Sequence, residues 1–204
     1  MITREHLLHQ SGYRYVAGID EAGRGPLAGP VFAAAVIMEE DCYLPDIRDS
    51  KKISEKKREE LFTYITEHAV AFGICAVDEK VIDEINILNA TFRAMAGAVE
   101  RMQIHPDYVL IDGNQSKGMP YPHECIVKGD ATVGCIAAAS ILAKVSRDRY
   151  LRECEKQYPG YGFAKHKGYG TKAHIQAIGE LGLCPIHRRT FCKKFVKGEG
   201  HEGE

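Results

Sequence analysis

Asp20 and Glu21 are neighbouring carboxylates in the stretch YVAGIDEAGRGPLAGPVFAAAV, residues 15–36. Residues 15–19 read as a short apolar strand and residues 31–38 as a second, with Gly23, Gly25, Pro26, Gly29 and Pro30 breaking regular structure between them. The two acids are therefore expected where a core strand ends and a turn begins. Two unpaired anions there would be costly, and a divalent cation is a compact counter-charge. A metal site is the chemistry this pair suggests; an Asp-Glu pair on a solvated turn is the plainer alternative. Gly23, Gly25 and Ala28 also fit G-x-G-x-x-A, a dinucleotide fingerprint that requires a helix directly afterwards. Here Pro26, Pro30 and the run VFAAAVIM give a β-turn-β unit instead, so no helix N-terminus awaits a pyrophosphate and an NAD-binding oxidoreductase is disfavoured.

Other residues could join this pair. Asp112 closes the apolar run YVLI and so repeats the geometry of Ile19 and Asp20. Asp130 follows a predicted strand over 124–128 and opens a predicted helix over 131–157, where it could equally be an N-cap. On that helix Ser140, Lys144 and Arg147 fall at i, i+4 and i+7, one face that could receive a phosphate. The same face could simply pack on the sheet, with Lys144 paired to Asp148. Further on, KHKGYGT places Lys165, Lys167 and Tyr169 in a glycine-bearing loop. Cations for phosphate and a ring for stacking suit a nucleic acid.

The elements that must position these residues follow from patterning. A chain of 204 residues, 45% hydrophobic, can bury one substantial core. A short helix or frayed start over 1–12 precedes the hairpin. Ser54 is placed to N-cap a helix over 55–69, and residues 70–77 form a third strand. Ile82, Ile85, Leu88, Phe92, Met95, Val99 and Met102 recur at steps of three and four, a long helix stopped by His105 and Pro106. A helix over 172–181 follows the basic loop. One α/β domain results, with a core over about 13–157, a C-terminal helical part over about 158–197, and a polar tail at 198–204 expected to be disordered.

Charge and cysteines narrow the setting. Net charge is −1, yet residues 165–197 hold eight Lys or Arg against Glu180 alone, and a polyanionic partner suits so basic a block. No run approaches the length of a membrane span, and MITREHLLHQ lacks an apolar signal core, so a cytoplasmic monomer with no membrane association is expected. Seven scattered cysteines with no C-x-x-C pair point to reduced, mostly buried thiols. Cys184, His187 and Cys192 come nearest to zinc spacing, and they lack a fourth ligand.

Taken in order, YVAGIDEAGRGPLAG, DSKKIS, IDEINILNA, VLIDGN, KGDATVGCIAAASILAKVSRDR, HKGYGTKAH and HRRTF resemble the motifs of the bacterial ribonuclease HII family, type 2 ribonucleases H, from residue 15 to about 191. The resemblance implies an RNase H-like fold, a mixed five-stranded sheet flanked by helices with a C-terminal helical extension. It implies hydrolysis of the RNA strand of RNA/DNA hybrids, and nicking of duplex DNA on the 5′ side of an embedded ribonucleotide, with Mg²⁺ or Mn²⁺, two per active site with substrate. Asp20, Glu21, Asp112 and Asp130 match the family's four catalytic, metal-binding acids. Such cations prefer hard oxygen ligands and can serve both ends of an in-line phosphoryl displacement. Because neighbours on a regular strand face opposite ways, Glu21 can join Asp20 only if the chain bends, or through its carbonyl or a water. Gly23, Arg24 and Gly25 match the loop that reads the ribonucleotide, whose 2′-OH separates RNA from DNA. Tyr169 matches a tyrosine that stacks on the adjacent deoxyribose. Lys51, Ser140, Lys144, Arg147 and Lys167 are expected phosphate contacts. The alternatives are a ribonuclease HIII-like or resolvase-like nuclease of the same fold, or a non-catalytic nucleic-acid-binding module. The ribonuclease HIII sort usually carries an extra N-terminal domain, for which Asp20 stands too near the start.

Overall fold

The computed structural model describes residues 3–39 and 53–196; Lys51 and the 198–204 tail lie outside the described residues. The element order is α1 (Arg4–Gln10), β1 (Val16–Ala22), β2 (Val31–Ile37), α2 (Glu55–His68), β3 (Ala71–Val77), α3 (Glu79–Glu100), β4 (Tyr108–Asp112), β5 (His123–Ile126), α4 (Gly129–Thr132), α5 (Gly134–Gln157), α6 (Phe163–His166), α7 (Lys172–Leu181) and α8 (Arg189–Cys192). The five strands form one mixed sheet in the order β3-β2-β1-β4-β5. β1 pairs antiparallel to β2 and parallel to β4, and β5 extends the parallel half. This is the α/β sheet the sequence predicts.

Alternation along the strands divides the core between two faces. Ala17, Ile19, Ala33 and Ala35 face α3, meeting Ala94, Ala98 and Val99. Ala34 and Val36 face the opposite way and meet Ala137, Ala138 and Ala139 of α5, with Leu61 and Ile65 of α2 behind them. Small residues dominate both contacts, so helix axes come close to the sheet. Gly18 shows how close: a Cβ there would lie 2.2 Å from the backbone carbon of Cys135 and the nitrogen of Ile136. The absence of a side chain at one position of β1 is what lets the start of α5 lie flat on the strand.

The predicted Ser54 cap forms, and a second that patterning did not single out, Thr171, joins it. The Ser54 hydroxyl accepts from the Lys57 N–H at 3.3 Å, and Thr171 does the same for His174 at the start of α7. Two predicted long helices are interrupted. α3 breaks at Asn86 (φ 66°, ψ 164°), whose side-chain oxygen accepts from the N–H groups of Leu88 at 3.0 Å and Asn89 at 3.1 Å and so starts the helix afresh. The helix expected over 131–157 divides at Val133 into α4 and α5, where Val133 takes extended dihedrals. Glu5 of α1 then caps the freed end, its carboxylate accepting from Gly134 N–H at 3.1 Å and Cys135 N–H at 2.7 Å.

Candidate active site

β1 does not stop at Ile19. It runs through Asp20 and Glu21 to Ala22, with Asp20 opposite Ala34 and Glu21 opposite Ala33 in regular antiparallel register. The expected strand end before the acids is corrected by this pairing: β2 continues past them and holds the backbone extended. On the other side of β1 the parallel pairing with β4 ends at Ile19 and Ile111. Asp20 and Asp112 are the next residue on each strand, so both stand where the parallel pairing of β1 and β4 runs out, at the carboxyl side of that pair, a usual place for an α/β active site. β5 pairs Ile126 with Asp112, and the chain turns at once into α4, which carries Asp130. The Asp130 N–H lies 3.3 Å from Oδ1 of Asp112. Asp130 is not an N-cap, since that place belongs to Lys128 in a left-handed conformation.

Asp20, Glu21, Asp112 and Asp130 line one cavity of about 420 Å³, together with Ala22, Gly23, Arg58, Ser140, Ile141, Lys144, Arg147 and Tyr169. Asp20 is 7% exposed. Its carboxyl is held well above the usual range, first by burial and then by the charges of Glu21 and Asp112, against the opposing hydrogen bond from Ser140. The Glu21 N–H also donates to its Oδ1 at 2.7 Å. Glu21 is raised too, chiefly by burial, with Arg24 pulling the other way. Arg24 donates to Oε1 of Glu21 at 3.2 Å. β1 therefore stays regular between the two acids, and Glu21 pairs with the loop while Asp20 faces α5.

Hard carboxylate oxygens crowded at raised proton affinity are the donor set a divalent cation neutralises, so these residues fit one in kind. Among the described residues, no three His, Cys, Asp or Glu side chains form a group able to hold a metal ion. The four acids thus share a cavity without closing into a cage, because Glu21 is turned toward Arg24 and Asp112 receives the main chain of α4. The same finding applies to Cys184, His187 and Cys192: Nδ1 of His187 accepts the Cys184 N–H at 2.9 Å.

Several expected phosphate contacts have other partners. Arg147 is only 1% exposed and spends its guanidinium on main-chain carbonyls, Pro30 at 3.1 Å, Lys167 at 2.9 Å and Ala28 at 3.0 Å. That corrects its assignment as a phosphate ligand; it braces the loop instead. Nζ of Lys167, an expected phosphate contact, donates to the Ala164 carbonyl at 2.7 Å and lies 3.8 Å from Glu55, and Lys167 is not among the residues lining the cavity. Ser140 serves Asp20. Lys144 lines the cavity and pairs with Asp148 at 2.6 Å, as the packing alternative predicted. Arg58, which carries no assignment from sequence, lines the cavity as well.

Sequence reasoning also missed the support of the Gly23-Arg24-Gly25 loop. Arg188, within HRRTF, is fully buried and donates to the carbonyls of Gly29 at 2.9 Å, Arg24 at 2.9 Å and Gly23 at 2.6 Å. Burial and the neighbouring Arg147 charge lower its pKa to about 9. A buried arginine answered by carbonyls rather than carboxylates is invisible to patterning, because its partners lie some 160 residues earlier. Gly23 must be glycine for two reasons: its φ is +99°, and a Cβ would sit 2.1 Å from Nε of Arg147. Tyr169, 47% exposed, stands beside this loop, with Gly25 near its ring and the Arg147 guanidinium 6.0 Å from the ring centroid.

Comparison with known proteins identifies the family. The ribonuclease HII family profile matches residues 17–194. A ribonuclease HII of Acetivibrio thermocellus is 55% identical over 96% of this chain and 77% of its own length. One of Endomicrobium trichonymphae is 58% identical over 90% of this chain and 88% of its own. The crystal structure of ribonuclease H2 from Pyrococcus horikoshii superposes with a TM-score of 0.75 at 27% identity, covering 89% of this chain and 97% of that one. Carboxylates at adjacent strand ends, a braced glycine loop and a match across nearly the whole chain lead to one assignment: this chain belongs to the ribonuclease HII family and is a ribonuclease H hydrolase.

Proposed function

We propose that this enzyme is a divalent-metal-dependent endonuclease that hydrolyses the RNA strand of RNA/DNA hybrids and nicks duplex DNA on the 5′ side of an embedded ribonucleotide. The observation that carries the reading is the shared cavity, where four carboxylates, a glycine loop and an exposed tyrosine meet. Asp20, Asp112 and Asp130 would hold Mg²⁺ or Mn²⁺, with Glu21 contributing after release from Arg24. Bound there, the cations would supply Lewis-acid activation of water and charge neutralisation at the leaving oxygen.

The chain's own residues do the rest. Gly23, Arg24 and Gly25 present main-chain groups to the sugar edge; Arg188 fixes that backbone through the carbonyls of Gly23 and Arg24, and Arg147 holds Ala28 further along the loop. A 2′-OH both donates and accepts, so a rigid backbone edge can distinguish it from a deoxyribose carbon. Tyr169 offers an exposed ring for stacking on the neighbouring deoxyribose. Lys144 and Arg58 place positive charge at the cavity for the phosphate. Mapping of cleavage on a duplex carrying one ribonucleotide tests the reading. A single nick 5′ to that residue, present with Mg²⁺ and abolished by chelation, is expected; metal-independent cutting or cutting at all-DNA positions would refute it.

A further inference from the structure

The main-chain carbonyl of Tyr169 is held from two directions. The Thr171 N–H donates to it at 2.8 Å, and Nδ1 of His174 lies 2.9 Å away. A carbonyl can only accept, so His174 carries its proton on Nδ1, and in the neutral ring Nε2 is left as the acceptor. That Nε2 lies 3.0 Å from Nε2 of His187. At the far end, Nδ1 of His187 lies 2.9 Å from the Cys184 N–H, 3.1 Å from its thiol and 3.3 Å from its carbonyl, which already accepts the His187 N–H at 3.0 Å; the shortest contact is the N–H, which can only donate, so His187 carries its proton on Nε2. Tautomers deduced separately from the two ends therefore agree in the middle. His187 donates to His174, and His174 donates to Tyr169. Exposure of 0% at His174 and 2% at His187 keeps water from substituting, and the His166 ring, stacked on His174 with centroids 4.4 Å apart, limits its tilt.

We propose that His187 and His174 are positioning residues: a tautomer-locked pair of neutral imidazoles that fixes the backbone of Tyr169 and so sets its ring at the mouth of the acidic cavity. This rests on the stacking role proposed above for Tyr169. It also gives HKGYGTKAH and HRRTF a joint purpose, since one supplies the ring and its holder and the other supplies the partner of the holder. Burial is the main cause that keeps both imidazoles neutral, lowering His187 to about 4 and His174 in the same direction.

The test measures KM and kcat for cleavage of a one-ribonucleotide duplex by the full chain with saturating Mg²⁺. His174→Leu removes the donor to Tyr169, whereas His174→Asn keeps an amide N–H near the place of Nδ1. His174→Leu is expected to raise KM roughly 5- to 10-fold with little change in kcat, and His174→Asn to recover most of that loss. In a Tyr169→Ala background, His174→Leu should add nothing further. Losses that multiply in the double variant, or equal losses for Leu and Asn, would overturn the relay. If Tyr169→Ala alone leaves KM unchanged, the stacking reading fails and takes the relay's catalytic purpose with it. Should His174→Leu fail to fold, the pair His187→Leu and His187→Gln makes the same comparison one link back, because the Gln amide places its N–H near Nε2.

Discussion

Asp20 combines burial, two like-charged neighbours and a single hydroxyl ally, Ser140, an unfavourable setting that the proposed metal-binding role accounts for. Asp20→Asn removes the charge and preserves the shape. Cleavage of a one-ribonucleotide duplex at saturating Mg²⁺ should fall by about 10³-fold or more, a loss of the size expected when a preorganised charge is deleted. The thermal midpoint of the same variant should not fall, since a repulsion is relieved; a large drop with activity retained would sink the assignment. Glu21 lines the same cavity, but its carboxylate is paired with Arg24. Glu21→Gln should therefore cost less activity than Asp20→Asn in the same assay, and an equal loss would show that Glu21 ligates directly.

At the scale of elements, the contact between β1 and α5 decides whether the acids meet. Ser140 on α5 reaches Asp20 only because Gly18 admits the helix backbone. Gly18→Ala forces a methyl into the space of Cys135 and Ile136, and overpacking of this kind costs about 1–3 kcal/mol or more. Chemical denaturation should show that loss, together with reduced cleavage as α5 and Ser140 move outward. An unchanged denaturation midpoint would mean that the helix shifts freely and that the close approach is not required. The breaks at Asn86 and Val133 have the same character. Each lets one helix re-aim without losing its caps, and the second turns Asp130 toward Asp112.

For the whole molecule, the C-terminal helices act as a brace on the first hairpin. Ala28 bridges to His187, Leu27 N–H donates to the Gly168 carbonyl at 2.8 Å, and Arg188 closes on the loop. The buried histidines of this brace give stability a pH dependence. Folded His187 titrates near 4, below the ordinary 6.5, so the unfolded chain binds the extra proton. Their contribution is full above about pH 6.5 and declines as pH falls toward 4. Melting curves from pH 7.5 to 4.5 should show that decline, flattened in His187→Gln; an equal slope in both proteins would exclude this origin. Most of the sheet was legible in sequence because strands and helices are local: apolar runs, Ser54 as a cap, and Asp112 at the end of its strand read directly from the order of residues. The motifs likewise carried the family. Only the tertiary structure decided that β1 continues through Asp20 and Glu21, because strand length there is set by pairing with β2. It alone showed that Arg147 and Arg188 are braces and that His174 and His187 are linked, since a buried cation or imidazole is defined by partners that only folding brings within reach.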